Sequence, residues 1–129
     1  MTIMMLTAAG LAGIIHMLFF LLESIWWMRP GVYKTFRLKS EEEALLTKPL
    51  AFNQGFYNLF LTFGIAIGLT LIGTGHVKTG YAILTYTCLF MLGAATVLWM
   101  SNRKMIRGVI LQGLLPLVYL ISFGLRYFG

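Results

Sequence analysis

Two ionisable side chains, His16 and Glu23, stand inside the first long apolar stretch of the sequence. A charge at membrane depth costs about 3 kcal/mol or more, so its default reading is a functional one. The pair is seven residues apart, which is about 700° of helical rotation, about 20° short of two turns. The two therefore share a stripe, about 10 Å apart along the axis. A carboxylate and an imidazole on one stripe are the residue types for proton transfer, or for gripping a polar head in apolar surroundings. Arg29 is the nearest cation in sequence to Glu23, and from the membrane interface it reaches back only by snorkelling.

The second apolar stretch carries Asn53, Gln54, Tyr57, Asn58 and Thr62 in one half. Gln54, Asn58 and Thr62 are spaced by four and form one stripe, flanked by Asn53 and Tyr57. Antiparallel neighbours put Gln54 at the depth of Glu23 and Thr62 at that of His16. The last stretch adds Gln112, Pro116, Tyr119 and Arg126 on another stripe. Pro116 withdraws the donor for the Gln112 carbonyl. Thr85, Cys88 and Thr96 in the third stretch signal little, because such side chains bond their own backbone. Three helices thus converge on one polar cluster. Amides in membrane helices also serve as simple cross-bundle glue, at about 1 kcal/mol each. Glu23 resists that reading, since a buried carboxylate must be paired, protonated or wetted.

Four elements must position these residues. Of 129 residues, 59% are hydrophobic and 11% charged, with a mean hydropathy of +0.84. A soluble domain of this size cannot hide so much apolar surface. A spanning helix takes about 20 apolar residues, which predicts an all-α, antiparallel bundle of four spans over about 3–27, 50–73, 81–100 and 106–128. The first stretch has no basic n-region and is too long for a signal h-region, so it reads as uncleaved. Arg29, Lys34, Arg37, Lys39 and Lys48 lie between spans one and two, and Arg103, Lys104 and Arg107 between three and four. Only Lys78 and Arg126 lie opposite. Positive-inside then predicts both basic loops in the cytoplasm and both termini outside, and argues against dual topology. Trp26, Trp27 and Trp99 fall at the cytoplasmic interface, Tyr81 and Tyr127 at the outer one.

Within the 28–49 loop, Arg29-Pro30-Gly31 is expected to end the first helix. Ser40-Glu41-Glu42-Glu43 has the form of a capping box, which predicts a short surface helix from about Glu41 to Thr47 that stops at Pro49. Gly64 with Gly68, and Ala9 with Gly13, are small-residue pairs for close packing or for a seam with a second copy. The net charge of +6 sits in short loops beside apolar runs, which points to lipid headgroups rather than nucleic acid. The single cysteine, Cys88, offers no disulfide, and no Cys/His metal spacing or glycine-rich phosphate loop occurs.

Three blocks carry a resemblance. His16-Met17-Leu18-Phe19-Phe20-Leu21-Leu22-Glu23 followed by Trp26 resembles the opening signature of the integral membrane family called domain of unknown function thirteen-hundred-and-four. Asn53-Gln54-Gly55-Phe56-Tyr57-Asn58 is similar to its second-span signature, and Gln112-Gly113 with Pro116 to its fourth-span element. The resemblance covers nearly the whole chain and implies a four-helix inner-membrane protein, with no activity attached.

The expectation is a multi-pass protein of the cell membrane that binds, or helps to move, a small amphiphile or lipid-like ligand near the cytoplasmic leaflet. Its walls would be Glu23, His16, Asn53, Gln54, Tyr57, Asn58, Gln112 and Tyr119, with membrane lipids as partners and no metal or cofactor. Two rival readings use the same residues. One is an isomerase-like enzyme with Glu23 and His16 as acid–base pair; the other is a structural subunit whose polar cluster sets helix register.

Overall fold

A computed structural model describes residues 1–129. Helix α1 (Thr2–Phe20) runs into a single π turn, Leu21–Ile25. A one-turn helix α2 (Pro30–Tyr33) follows, then α3 (Glu41–Gly73), α4 (Val77–Ser101), a 3-10 turn (Arg103–Met105) and α5 (Ile106–Tyr127). Four of these segments are long and apolar enough to cross a membrane, with mean hydropathies of 1.8 to 2.1. This is an all-α, multi-pass membrane protein. Its spans pack in a ring, α1 against α3, α3 against α4, α4 against α5, and α5 back against α1. The connections Thr74–His76 and Asn102–Met105 are short, which makes neighbours antiparallel. Ile14, Phe60, Leu89 and Ile121 point outward, as apolar side chains do when lipid rather than water is the solvent.

Two local expectations are corrected. Helix α3 does not stop at Pro49; it passes through it for 33 residues. Such a helix is about 50 Å long, whereas a hydrocarbon core is about 30 Å thick, so its first turns extend beyond the apolar layer. There the carbonyl that Pro49 leaves without a donor can be solvated. The start is also anchored: Ser40 Oγ accepts from the Glu43 N–H at 3.2 Å, and Trp27 Nε1 donates to the Ala44 carbonyl at 3.0 Å. The reciprocal arm of the cap comes from one residue earlier than a capping box has it, the Lys39 N–H donating to Glu43 Oε2 at 2.7 Å. The first helix, in turn, ends at Ile25, before Arg29-Pro30-Gly31, and Pro30 opens α2 instead. Proline suits a first helical position because the N–H it lacks would be unpaired there anyway.

Packing is uneven along the bundle. Met5, Ala8, Ala9 and Ala12 of α1 close with Ile65, Leu84, Cys88, Met91 and Tyr119 into a core in the half away from the basic loops. Backbones touch here: a Cβ on Gly80 would lie 2.7 Å from the Gly68 carbonyl oxygen and 2.9 Å from the Ile72 nitrogen. The small-residue pairs serve this bundle. Gly64 and Gly68 face Thr87 and Leu84 of α4, and Gly13 faces Ile65 of α3.

All eight basic residues of the two connections, 29–48 and 103–107, lie at or beyond the same end of the ring, given the antiparallel order. Under the positive-inside reading, Lys39→Cys should react with a membrane-impermeant maleimide only in opened cells, and Gly129→Cys in intact ones. Background is low, because Cys88 is fully buried. Labelling of Lys39→Cys in intact cells reverses the orientation.

Candidate functional site

At the basic end the bundle opens into a cavity of about 470 Å³. Glu23, from the π turn, is its one ionisable lining residue; Gln54 and Asn58 of α3, Gln112 of α5 and Ser101 of α4 supply the other polar groups. Apolar wall comes from Phe19, Phe36, Val97, Leu98 and Met105. No lysine or arginine lines it.

The expected contact between Glu23 and the second span is present. Asn58 Nδ2 donates to Glu23 Oε2 at 2.9 Å, with both residues buried. The same amide lies 3.3 Å from the Gln54 carbonyl. Depth alone pairs Glu23 with Gln54, one turn earlier on α3. Side-chain direction decides for Asn58: Cα–Cβ bonds tilt toward a helix's own N-terminus, so on antiparallel helices they lean toward each other. The Asn58 amide leans toward the basic end, the Glu23 carboxyl away from it, and they meet.

The π turn sets the carboxyl's position. Trp26 N–H donates to the Leu21 carbonyl at 2.8 Å, one residue wider than an α turn. Within it, Ser24 Oγ donates to the Phe52 carbonyl at 2.8 Å. Gly55 makes the approach feasible, since a Cβ there would collide with Ser24 Oγ and lie 3.0 Å from the Ser24 nitrogen. About two to three turns further in, Thr62 Oγ1 donates to the Gly13 carbonyl at 3.0 Å. Widened turns of this kind recur at functional sites.

The remaining candidates divide. Gln112 is half-buried at the cavity wall, on the helix that continues through Pro116. Asn53 and Tyr57 are exposed and do not line the cavity; each sits about 100° of helical rotation from a residue that does. Tyr119 lies in the tight half, its hydroxyl 3.1 Å from Thr85 Oγ1 and its ring stacked on Phe123. Seven residues separate it from Gln112, about 10 Å of helix. His16 is fully buried but does not line the cavity. Its Nδ1 lies 2.9 Å from the Ala12 carbonyl, which can only accept, so the proton is on Nδ1; Nε2 has no partner. His16 and Glu23 therefore do not confront a common cavity.

Phe36, Ser24 and Ser101 are the residues that sequence reasoning passed over. Phe36 comes from the loop and packs on Trp27, ring centroids 5.0 Å apart; nothing in its spacing announces this. For Ser24 a signal existed: glycine beside polar residues in Asn53-Gln54-Gly55 marks a close helix approach.

Residues 10–123 match a family described as a protein of unknown function, DUF1304. The chain belongs to this family. The DUF1304 match takes in the π turn, the Gln54–Asn58 stripe and Gln112, so the cavity walls fall inside the shared segment. Neither a curated protein nor a solved structure matches the chain.

Proposed function

We propose that this DUF1304 protein of the cell membrane holds, and helps to move, a small amphiphile in the cavity at its basic end, with the ligand's polar head against Glu23. The observation that carries the reading is a buried carboxyl with a single protein donor, Asn58, at the wall of a cavity of about 470 Å³. That volume lies within the usual range of about 300–1,000 Å³ for small-molecule sites. A carboxylate offers about four acceptor positions, so one amide leaves room for a head rich in donors. With no cation in the lining, the ligand itself supplies the complement: an amine or polyhydroxyl head on an apolar body. Gln54, Gln112 and Ser101 bond the rest of the head, while Phe19, Val97 and Leu98 face the tail.

The acid–base alternative loses support because His16 lies outside this cavity with its Nδ1 committed to Ala12. The structural-subunit reading is the one the test must defeat. Decylamine, decanol and decanoate serve as probes, each measured by equilibrium partition into phosphatidylcholine nanodiscs with and without the protein. Decylamine should show saturable binding that decanoate does not. Glu23→Gln keeps shape and most hydrogen-bonding capacity, so it should stay folded and lose about tenfold in decylamine affinity, the equivalent of about 1.4 kcal/mol. Equal binding by wild type and Glu23→Gln hands the cluster to the structural reading.

A further inference from the structure

A second concavity lies outside the bundle, between α1 and α5, and encloses about 660 Å³. Its floor is apolar, with Leu18 and Leu22 from the α1 side and Ile106 and Leu111 from α5. Its mouth carries Lys34 and Arg37 from the loop after α2, Lys104 from the 3-10 turn and Arg107 from the first turn of α5. These cations come from two separate connections and meet only because α1 and α5 close the ring. No aspartate or glutamate lines the groove. Of the acidic residues nearest in sequence, Glu43 already accepts from the Lys39 N–H.

The other arginines are differently disposed. Arg29, Arg103 and Arg126 lie over the rings of Trp26, Trp99 and Tyr127, at 5.1, 5.3 and 5.5 Å from their centroids. Arg37 instead sits at φ +67°, the one non-glycine residue with positive φ. It closes α2 as the C′ residue of a Schellman turn, the Leu38 N–H donating to the Tyr33 carbonyl at 3.1 Å. Glycine is the customary residue there because it bears no Cβ penalty. An arginine at that backbone position brings its charge to the groove mouth at a conformational cost.

We propose that this groove is a binding site for an anionic phospholipid whose head bears at least two negative charges. Four cations around one mouth exceed what a single phosphodiester neutralises, and match a bis-phosphate head of the cardiolipin type. Arginine forks suit phosphate oxygens, lysines act as point charges, and basic pockets between spans at the interface are where such heads bind. The floor explains why the ligand is a lipid rather than a soluble anion. Leu18, Ile106 and Leu111 are 47%, 44% and 52% exposed, and they continue the mouth into the acyl layer. The groove adjoins the Glu23 cavity across Phe19, Phe36, Met105 and Gly108, which line both. Its four cations line the groove alone, so the proposal does not depend on how that cavity is read.

The test uses the full chain, purified in detergent, with cardiolipin and phosphatidylcholine offered in equal amounts and counted by native mass spectrometry. Wild type should retain cardiolipin at least tenfold over phosphatidylcholine. Arg37→Gln combined with Arg107→Gln should lose most of that preference, whereas Lys48→Gln, at the same end but outside the groove, should keep it. All three positions are at the surface, and circular dichroism with thermal unfolding verifies the fold. Arg37→Gly is the sharper variant, since it relieves the backbone while removing the charge: melting temperature should not fall, yet cardiolipin retention should. Retention that falls as much in Lys48→Gln would mean diffuse surface charge and overturn the site. No preference over phosphatidylcholine would do the same. Displacement of cardiolipin by millimolar inorganic pyrophosphate, with the pyrophosphate itself retained, would assign the mouth to a soluble anion instead.

Discussion

Gly55→Ala should destabilise the bundle by about 3 kcal/mol, the upper end for overpacking a close contact. The added methyl group would collide with Ser24 Oγ and stand 3.0 Å from the Ser24 backbone nitrogen. A hydroxyl can rotate aside, but the nitrogen belongs to the π turn and cannot move without shifting Glu23. The α1–α3 spacing must widen, and the 2.9 Å bond from Asn58 to Glu23 lengthens with it. Ser24→Gly in the same chain removes the Oγ and Cβ obstacles and leaves only the nitrogen, so it should recover roughly half of the loss. Urea or SDS unfolding in mixed micelles measures both. A Gly55→Ala protein as stable as wild type would mean that the two helices do not approach at this point.

Asn58→Leu should cost about 2 kcal/mol, the range for a hydrogen bond to a charged group. Interhelical bonds between neutral side chains in membranes average only about 0.6 kcal/mol, so the magnitude itself reports the state of Glu23. A loss near the higher figure means that leucine strands a carboxylate. A loss under about 1 kcal/mol is what a protonated acid would give. The double variant Glu23→Leu/Asn58→Leu removes both partners and should recover most of the stability, since a matched apolar pair leaves nothing unsatisfied. The coupling energy of this cycle isolates the pair from other effects of each substitution.

The architecture was legible because its cause is one-dimensional. Four apolar runs long enough to span are a statement about composition, and lipid allows exposed backbone only as helices or closed barrels. The four helices follow from it, as does the depth of Glu23, since rise per residue converts sequence position into height. Ser40 as a helix cap was equally local, decided by a hydroxyl and the next three residues. Pro49 reads as a stop in sequence because propensity counts the lost hydrogen bond and not the Trp27–Ala44 tie that holds the start of α3 in place.

Rotation about each helix axis was not legible in the same way. The stripe of Gln54, Asn58 and Thr62 marks one face of α3. Spacing alone does not say how wide that face is, so its flanks Asn53 and Tyr57 stand as candidates beside Asn58. Only packing against α1 turned Asn58 inward and left the other two exposed. The wide turn at Leu21–Ile25 likewise has no sequence signature, because it exists to seat Ser24 against Gly55, a residue on another helix. His16 shows the same division. Its burial followed from its depth, but its separation from the cavity depended on how closely four helices pack in one half of the bundle. The groove cations are a further case, contributed by two loops about 70 residues apart in sequence and joined only by ring closure. Sequence alone determined that this chain is a four-helix membrane protein with a carboxyl at depth, because burial in lipid and helix rise act residue by residue. Which side chains face that carboxyl was decided by tertiary structure, because it depends on the contact of surfaces distant along the chain.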